Sequence, residues 1–202
     1  MRGRLMVAAA AVSVLSVSAC DRGGDNQAAA APPSPAAAPP PVPPMPPAGA
    51  AAGFAARTAL NDMYEVEAGR LALERTGDND VKRFAQMMVD DHSRTSNEVR
   101  AMIAQQAVQA ELPSQLDAEN RARVDALTAA APADFDQRYI DQQIAAHESA
   151  LALLKDYARG GDNQAFRDWA SRTAPAIENH LQMARGLKRA PAGDSAGDAA
   201  TN

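Results

Sequence analysis

One cysteine, three histidines and an aromatic content of 4% leave this 202-residue chain few of the usual devices. A lone thiol closes no internal disulfide, so no covalent cross-link supports the fold. Paired cysteines, a Gly-rich phosphate loop and a Ser-His-Asp signature are all missing. Basic residues form no cluster and the formal net charge is -5, which argues against nucleic acid as a partner. The one long apolar run near the start, Leu5 to Val17, is too short to span a bilayer as a mature helix.

That run has a different use. Arg2 and Arg4 precede it and Val17-Ser18-Ala19-Cys20 ends it, which reads as an export signal over residues 1–19. The last four residues resemble a bacterial lipobox, in which the cysteine is acylated and becomes the first mature residue. Ordinary cleavage after Ala19 is the alternative. Cys20 is the only cysteine, and acylation is its simplest use in an exported chain. Asp21 resembles an inner-membrane retention residue of enteric bacteria. Residues 20–53 are Ala/Pro-rich, with ten of the fourteen prolines between Pro32 and Pro47. Such a segment favours polyproline II and buries no core, so it is expected to be a tether reaching up to ~100 Å. These features predict a periplasmic protein anchored through Cys20 to the inner or outer membrane of a Gram-negative bacterium. Residues 190–202 are expected to be a disordered tail.

Helical periodicity fills residues 54–189. The expected helices are Phe54 to Thr76, Val81 to about Gln109, a shorter one from Leu116 to Ala130 capped by Ser114, Ala133 to Arg159, and one from the Asp162-Asn163 turn to about Lys188. The last contains Pro175, which is expected to kink it. Gly77-Asp78-Asn79 and Gly161-Asp162-Asn163 join consecutive long helices, and each turn is followed by an aromatic and Ala, Phe84-Ala85 and Trp169-Ala170. Two helical hairpins of this kind make an antiparallel four-helix bundle with the short helix in the crossover.

Each histidine falls on an apolar stripe. His92 follows Val81, Phe84, Ala85 and Met88; His147 lies among Ile140, Ile144, Leu151 and Leu154; His180 lies among Ile177, Met183, Ala184 and Leu187. The fourth long helix has no histidine, and its stripe of Leu60, Met63 and Leu71 is interrupted by Glu67. A buried polar side chain needs a partner or a task. Counted from the turns, Glu67, His92, His147 and His180 stand at about 17, 21, 22 and 27 Å. They converge if the hairpins pack with their turns level, with His180 the strained member. Three imidazoles and a carboxylate suit Zn, Cu, Fe or Ni. Asp91 and Glu148 are expected as orienting acceptors or alternate ligands. Met88 is either a soft donor leaning toward copper or core filling. Glu65, flanked by Asn61, Asp62 and Gly69, is expected at the rim or in solvent. The same residues also fit a structural polar layer that binds no metal.

Several of these residues carry a family resemblance. Glu65-Val66-Glu67-Ala68-Gly69-Arg70-Leu71-Ala72, Phe84-Ala85 with Met88 to His92, Phe135-Asp136 with Tyr139, His147-Glu148, and Pro175 with His180-Leu181 resemble exported bacterial proteins grouped as domain of unknown function 4142. The resemblance implies an all-α, ferritin-like bundle in a protein that is often lipid-anchored, and it implies no reaction. The di-iron pattern of ferritin-like proteins places a Glu three residues before a His. Here those positions are Val89, Ile144 and Ile177, so an oxidase or other enzyme is disfavoured. An atypical metal oxidoreductase and a metal-free envelope module remain as alternatives.

Overall fold

The computed structural model describes residues 47–189; the expected export signal, Cys20, most of the Ala/Pro-rich segment and the C-terminal residues 190–202 lie outside them. Five helices make up the described chain: α1 (Ala51–Arg75), α2 (Asn79–Gln105), α3 (Ala118–Thr128), α4 (Pro132–Gly160) and α5 (Gln164–Arg189). None is long and apolar enough to cross a membrane.

Local chemistry sets the boundaries. Asp78 caps α2, its Oδ1 accepting from the amides of Asp80 and Val81 at 2.7 and 3.2 Å. Asn163 caps α5 through Phe166 N–H at 3.2 Å. Pro132 starts α4, where its missing N–H costs nothing. Asp117, not Ser114, caps α3, accepting from Asn120 N–H at 2.8 Å. α2 stops at Gln105, short of the expected Gln109, because Ala107 turns into the left-handed region at φ 50°. The amide of Val108 then reaches back to the carbonyl of Ile103 at 3.1 Å, a helix-ending motif usually built on glycine. α5 runs through Pro175 as one helix, with the proline on the solvent side.

The long helices pair as two hairpins, α1 with α2 and α4 with α5, while α1 also packs on α4 and α2 touches α5. Asp162, in the α4–α5 turn, accepts from Ala51 N–H at 2.8 Å and so caps α1, whose own cap residue, Ala50, has no polar side chain. At the opposite end, Arg75 of α1 donates to the carbonyls of Leu127, Thr128 and Ala130, just before α4. The end of α4 therefore lies beside the start of α1, and the two turns sit at opposite ends of the bundle. The crossover from α2 to α4 must run its full length, and α3 packs on α1 and α4 along the way. One long crossover between two antiparallel hairpins is the ferritin-like connection.

Two apolar clusters fill the interior. One, toward the α1–α2 turn, holds Tyr64, Val81, Phe84, Met88, Leu127, Phe135 and Tyr139. The other, toward the α4–α5 turn, holds Phe54, Val99, Leu154, Tyr157, Phe166, Trp169 and Ile177. α1 and α2 approach closely at Gly69, where an added Cβ would stand 2.9 Å from Val89 Cγ2 and 3.1 Å from the Ala85 carbonyl oxygen.

Candidate metal centre

Between the clusters lies a layer of buried polar groups. His92 is at the midpoint of α2, His147 near the midpoint of α4, and His180 in the second half of α5. Because the turns sit at opposite ends, equal heights from the turns were not what brought the residues together. His92 and His147 stand about 21 and 22 Å from opposite ends of helices about 40 Å long, so they meet in the middle. Ring centroids are 5.5 Å apart for His92–His147, 5.9 Å for His92–His180 and 5.5 Å for His147–His180. One ring nitrogen of each lies within 4.8 Å of one from each of the others. All three side chains are at least 96% buried.

Each ring is held by one nitrogen. His92 Nδ1 donates to Asp62 Oδ1 at 2.8 Å, and Asp62 also accepts from Ser96 Oγ at 3.3 Å. His147 Nδ1 donates to the Gln143 carbonyl one turn earlier at 2.9 Å. His180 Nε2 donates to Asp91 Oδ2 at 3.0 Å, and the other Asp91 oxygen accepts from Arg94 at 2.8 Å. These contacts fix the tautomers and leave His92 Nε2, His147 Nε2 and His180 Nδ1 with no protein partner. An imidazole oriented by an acceptor on one nitrogen and bare on the other is the usual form of a metal-binding histidine.

The carboxylate from α1 is not the expected one. Glu67 lies on the surface, 41% exposed, and pairs with Arg121 at 2.6 Å. Two positions away means about 200° around a helix, so when one faces in the other cannot. Glu65 faces in and is fully buried, Oε2 accepting from Gln143 Nε2 at 2.6 Å and Oε1 standing 3.7 Å from His147 Nδ1 without a hydrogen bond. The rim position expected for Glu65 is thus corrected, and so is the neglect of Asp62, which is 2% exposed. α1 misleads because it packs against α2, α3 and α4 at once, and its many alanines leave no single apolar stripe. Asp91 does act as an orienting acceptor, for His180 rather than its neighbour His92. Glu148 is on the surface with Arg185 at 2.6 Å. Met88 is buried in the apolar cluster beside the layer.

The electrostatics follow from burial. Desolvation pushes the Glu65 carboxyl up to about 7, with nearby His92 and the Gln143 hydrogen bond pulling the other way. Desolvation, helped by the charge of His92, pushes His147 down to about 3. His180 is lowered for the same two reasons. Burial also opposes charging of His92, but the hydrogen bond to Asp62 and the charges of Glu65, Asp62 and Asp91 outweigh it and raise the ring above its ordinary value. A groove of about 490 Å³ between α2 and α5, lined by Asp91, Arg94, Glu98, Trp169 and Arg172, opens onto His92 and His180.

Fold and site together define a ferritin-like helical bundle with a buried histidine layer. The chain belongs to the family described as domain of unknown function (DUF4142), whose model matches residues 32–187. No curated protein sequence matches it significantly. Among solved structures it is similar in fold to CopM. The silver-bound form is 17% identical with a TM-score of 0.57, covering 68% of this chain and 93% of CopM. The Cu(II)-bound form gives 15%, 0.60, 69% and 96%, and the Cu(I)-bound form 15%, 0.58, 68% and 94%.

Proposed function

We propose that the domain binds a single transition-metal ion through His92, His147 and His180. The observation that carries this reading is the set of three rings, each locked by one nitrogen and bare at the other, that offer one ring nitrogen apiece within 4.8 Å of one another. Three imidazoles suit zinc, copper, nickel or iron, and at ~2.0–2.1 Å per bond the nitrogens need to draw in by about 1 Å to close on an ion. That CopM, with the same fold, carries silver or copper in its solved forms supports the reading. Protein purified without a histidine tag is expected to take up one equivalent of Zn(II) or Cu(II). His92→Ala and His147→Ala are expected to reduce this to background, and Glu67→Gln to leave it intact. Histidine variants that retain the metal, or a wild type that takes up none, would sink the reading.

On this reading the site works in the cell envelope. The chain is exported, acylated at Cys20 and held off the inner or outer membrane by the Ala/Pro-rich segment. Cys20→Ala is expected to move the protein from the membrane fraction to the soluble periplasmic fraction. Unchanged membrane fractionation would rule out the anchor.

A further inference from the structure

We infer that the centre is matched to a divalent rather than a monovalent cation, and that Glu65 is the residue that sets this preference. The inference rests on the metal-binding reading above and concerns the class of ion.

The layer contains two carboxylates from the interior face of α1. The side chains of Asp62 and Glu65 are 3% and 0% exposed. Neither accepts a hydrogen bond from a lysine or arginine: Asp62 takes His92 and Ser96, and Glu65 takes the neutral amide of Gln143. Paired buried carboxylates between two apolar clusters are costly unless a positive charge joins them. Asp91 stands outside this count, because its second oxygen faces Arg94 at the groove mouth. As metal ligands the three imidazoles are neutral and contribute no charge, so one divalent ion balances the two carboxylates. A monovalent ion leaves one of them uncompensated in the core.

Glu65 is the sensitive member of the pair. Both Asp62 oxygens have partners, whereas Glu65 Oε1 has none. Gln143 clamps the other oxygen at 2.6 Å and holds the free one on the His147 side of the layer. An oxygen fixed beside the His147 ring, outside the group of three nitrogens, compensates the charge of the ion without moving the helix. The donor chemistry agrees: imidazole and carboxylate suit Zn(II), Cu(II) and Ni(II), while soft monovalent ions favour sulfur. Met88, the nearby sulfur, is packed in the apolar cluster.

The test is a comparison of Zn(II) and Co(II) with Ag(I), titrated by calorimetry into untagged wild-type and Glu65→Gln protein. Glu65→Gln keeps the size and the acceptor for Gln143 but removes the charge. It is expected to weaken Zn(II) and Co(II) on the order of tenfold to a hundredfold while leaving Ag(I) unchanged or tighter. Equal weakening of both classes, or no change in either, overturns the inference and leaves the histidine site standing. A wild type that binds no metal instead removes the earlier reading. If Glu65→Gln does not fold, Glu65→Asp is read the same way: the shorter carboxylate is expected to weaken the divalent ions selectively, and equal weakening overturns the inference.

Discussion

At the end of the bundle where α1 begins, Phe54 stacks on Tyr157 with ring centroids 4.0 Å apart and meets Phe166 and Trp169 edge-on at 6.0 Å. The polar atoms of the rings there are satisfied: Tyr157 Oη donates to Asp162, and Trp169 Nε1 donates to Glu98 at 2.8 Å. In the middle of the same bundle, three imidazole nitrogens, a carboxylate oxygen of Glu65 and the amide oxygen of Gln143 are buried with no partner. The aromatic end is built for cohesion. The middle layer forgoes hydrogen bonds at its centre, which makes sense if those atoms are kept for something that comes from outside. The two regions should therefore respond in opposite ways to substitution, one in stability and the other in ligand binding.

The largest stability effect is expected at the aromatic end. Phe54 is fully buried among three rings, and Phe54→Ala removes a side chain that has no way to be replaced by collapse of its rigid neighbours. The expected cost is about 3–5 kcal/mol, read as a lower midpoint in urea denaturation. Metal bound per folded molecule should stay at the wild-type level. A loss of metal equal to that of His147→Ala, measured where Phe54→Ala is still folded, would show that the two regions are not separable.

How far the sequence leads differs between these regions for physical reasons. The helices and most of their starts were legible because capping is local: Asp78, Pro132 and the Gly-Asp-Asn turns act within a few residues of themselves, whereas at α3 Asp117 stands where Ser114 was expected. The three histidines were legible because α2, α4 and α5 each have one clear buried stripe. Glu65 and Asp62 were not, since α1 has neighbours on several sides and its alanines fit any of them. One signal was present. Aligned on their true caps, Asp78 and Asn163, the hairpins place Phe84 opposite Trp169 and Asp62 opposite His147, each pair equally spaced from its cap. Aligning on the shared Gly-Asp-Asn tripeptide instead shifts the register by one residue, because the second turn uses Asn163 as the cap and frees Asp162 to hold α1. Turn levels could not be read at all, as the length of a crossover does not say which end it leads to.

A medium effect is expected from acid. His147 is held near 3 against an ordinary 6.5, so below 6.5 the unfolded chain takes up a proton that the folded one refuses. Its contribution to stability is lost as the pH falls from 6.5 toward 3, at up to ~1.4 kcal/mol per pH unit. His180 acts in the same direction. Glu65, raised to about 7 from 4.5, acts in the opposite sense: between 7 and 4.5 the folded state holds a proton that the unfolded state lacks. That contribution grows as the pH falls through this window and offsets part of the histidine loss. Metal-free Glu65→Gln should therefore lose stability more steeply than wild type between 6.5 and 4.5, by up to ~1.4 kcal/mol per unit. Urea denaturation across that range measures it, and parallel curves would mean that Glu65 is not the buried acid described here.

The smallest effect is the most telling for the contrast between the two regions. His147→Leu puts an apolar side chain of similar size into the layer. The acceptor it abandons, the Gln143 carbonyl, lies inside α4 and keeps its helical hydrogen bond, so no acceptor is newly stranded. The bare Nε2 disappears, and one buried polar group fewer is left unsatisfied between the apolar clusters. The expected outcome is unchanged or higher stability, by about 1 kcal/mol, with complete loss of metal uptake. A purely structural layer predicts the reverse, because its rings would be there to hold the helices in place. If His147→Leu destabilises the metal-free protein by more than about 1 kcal/mol, the layer supports the fold itself, and the contrast with the aromatic end fails.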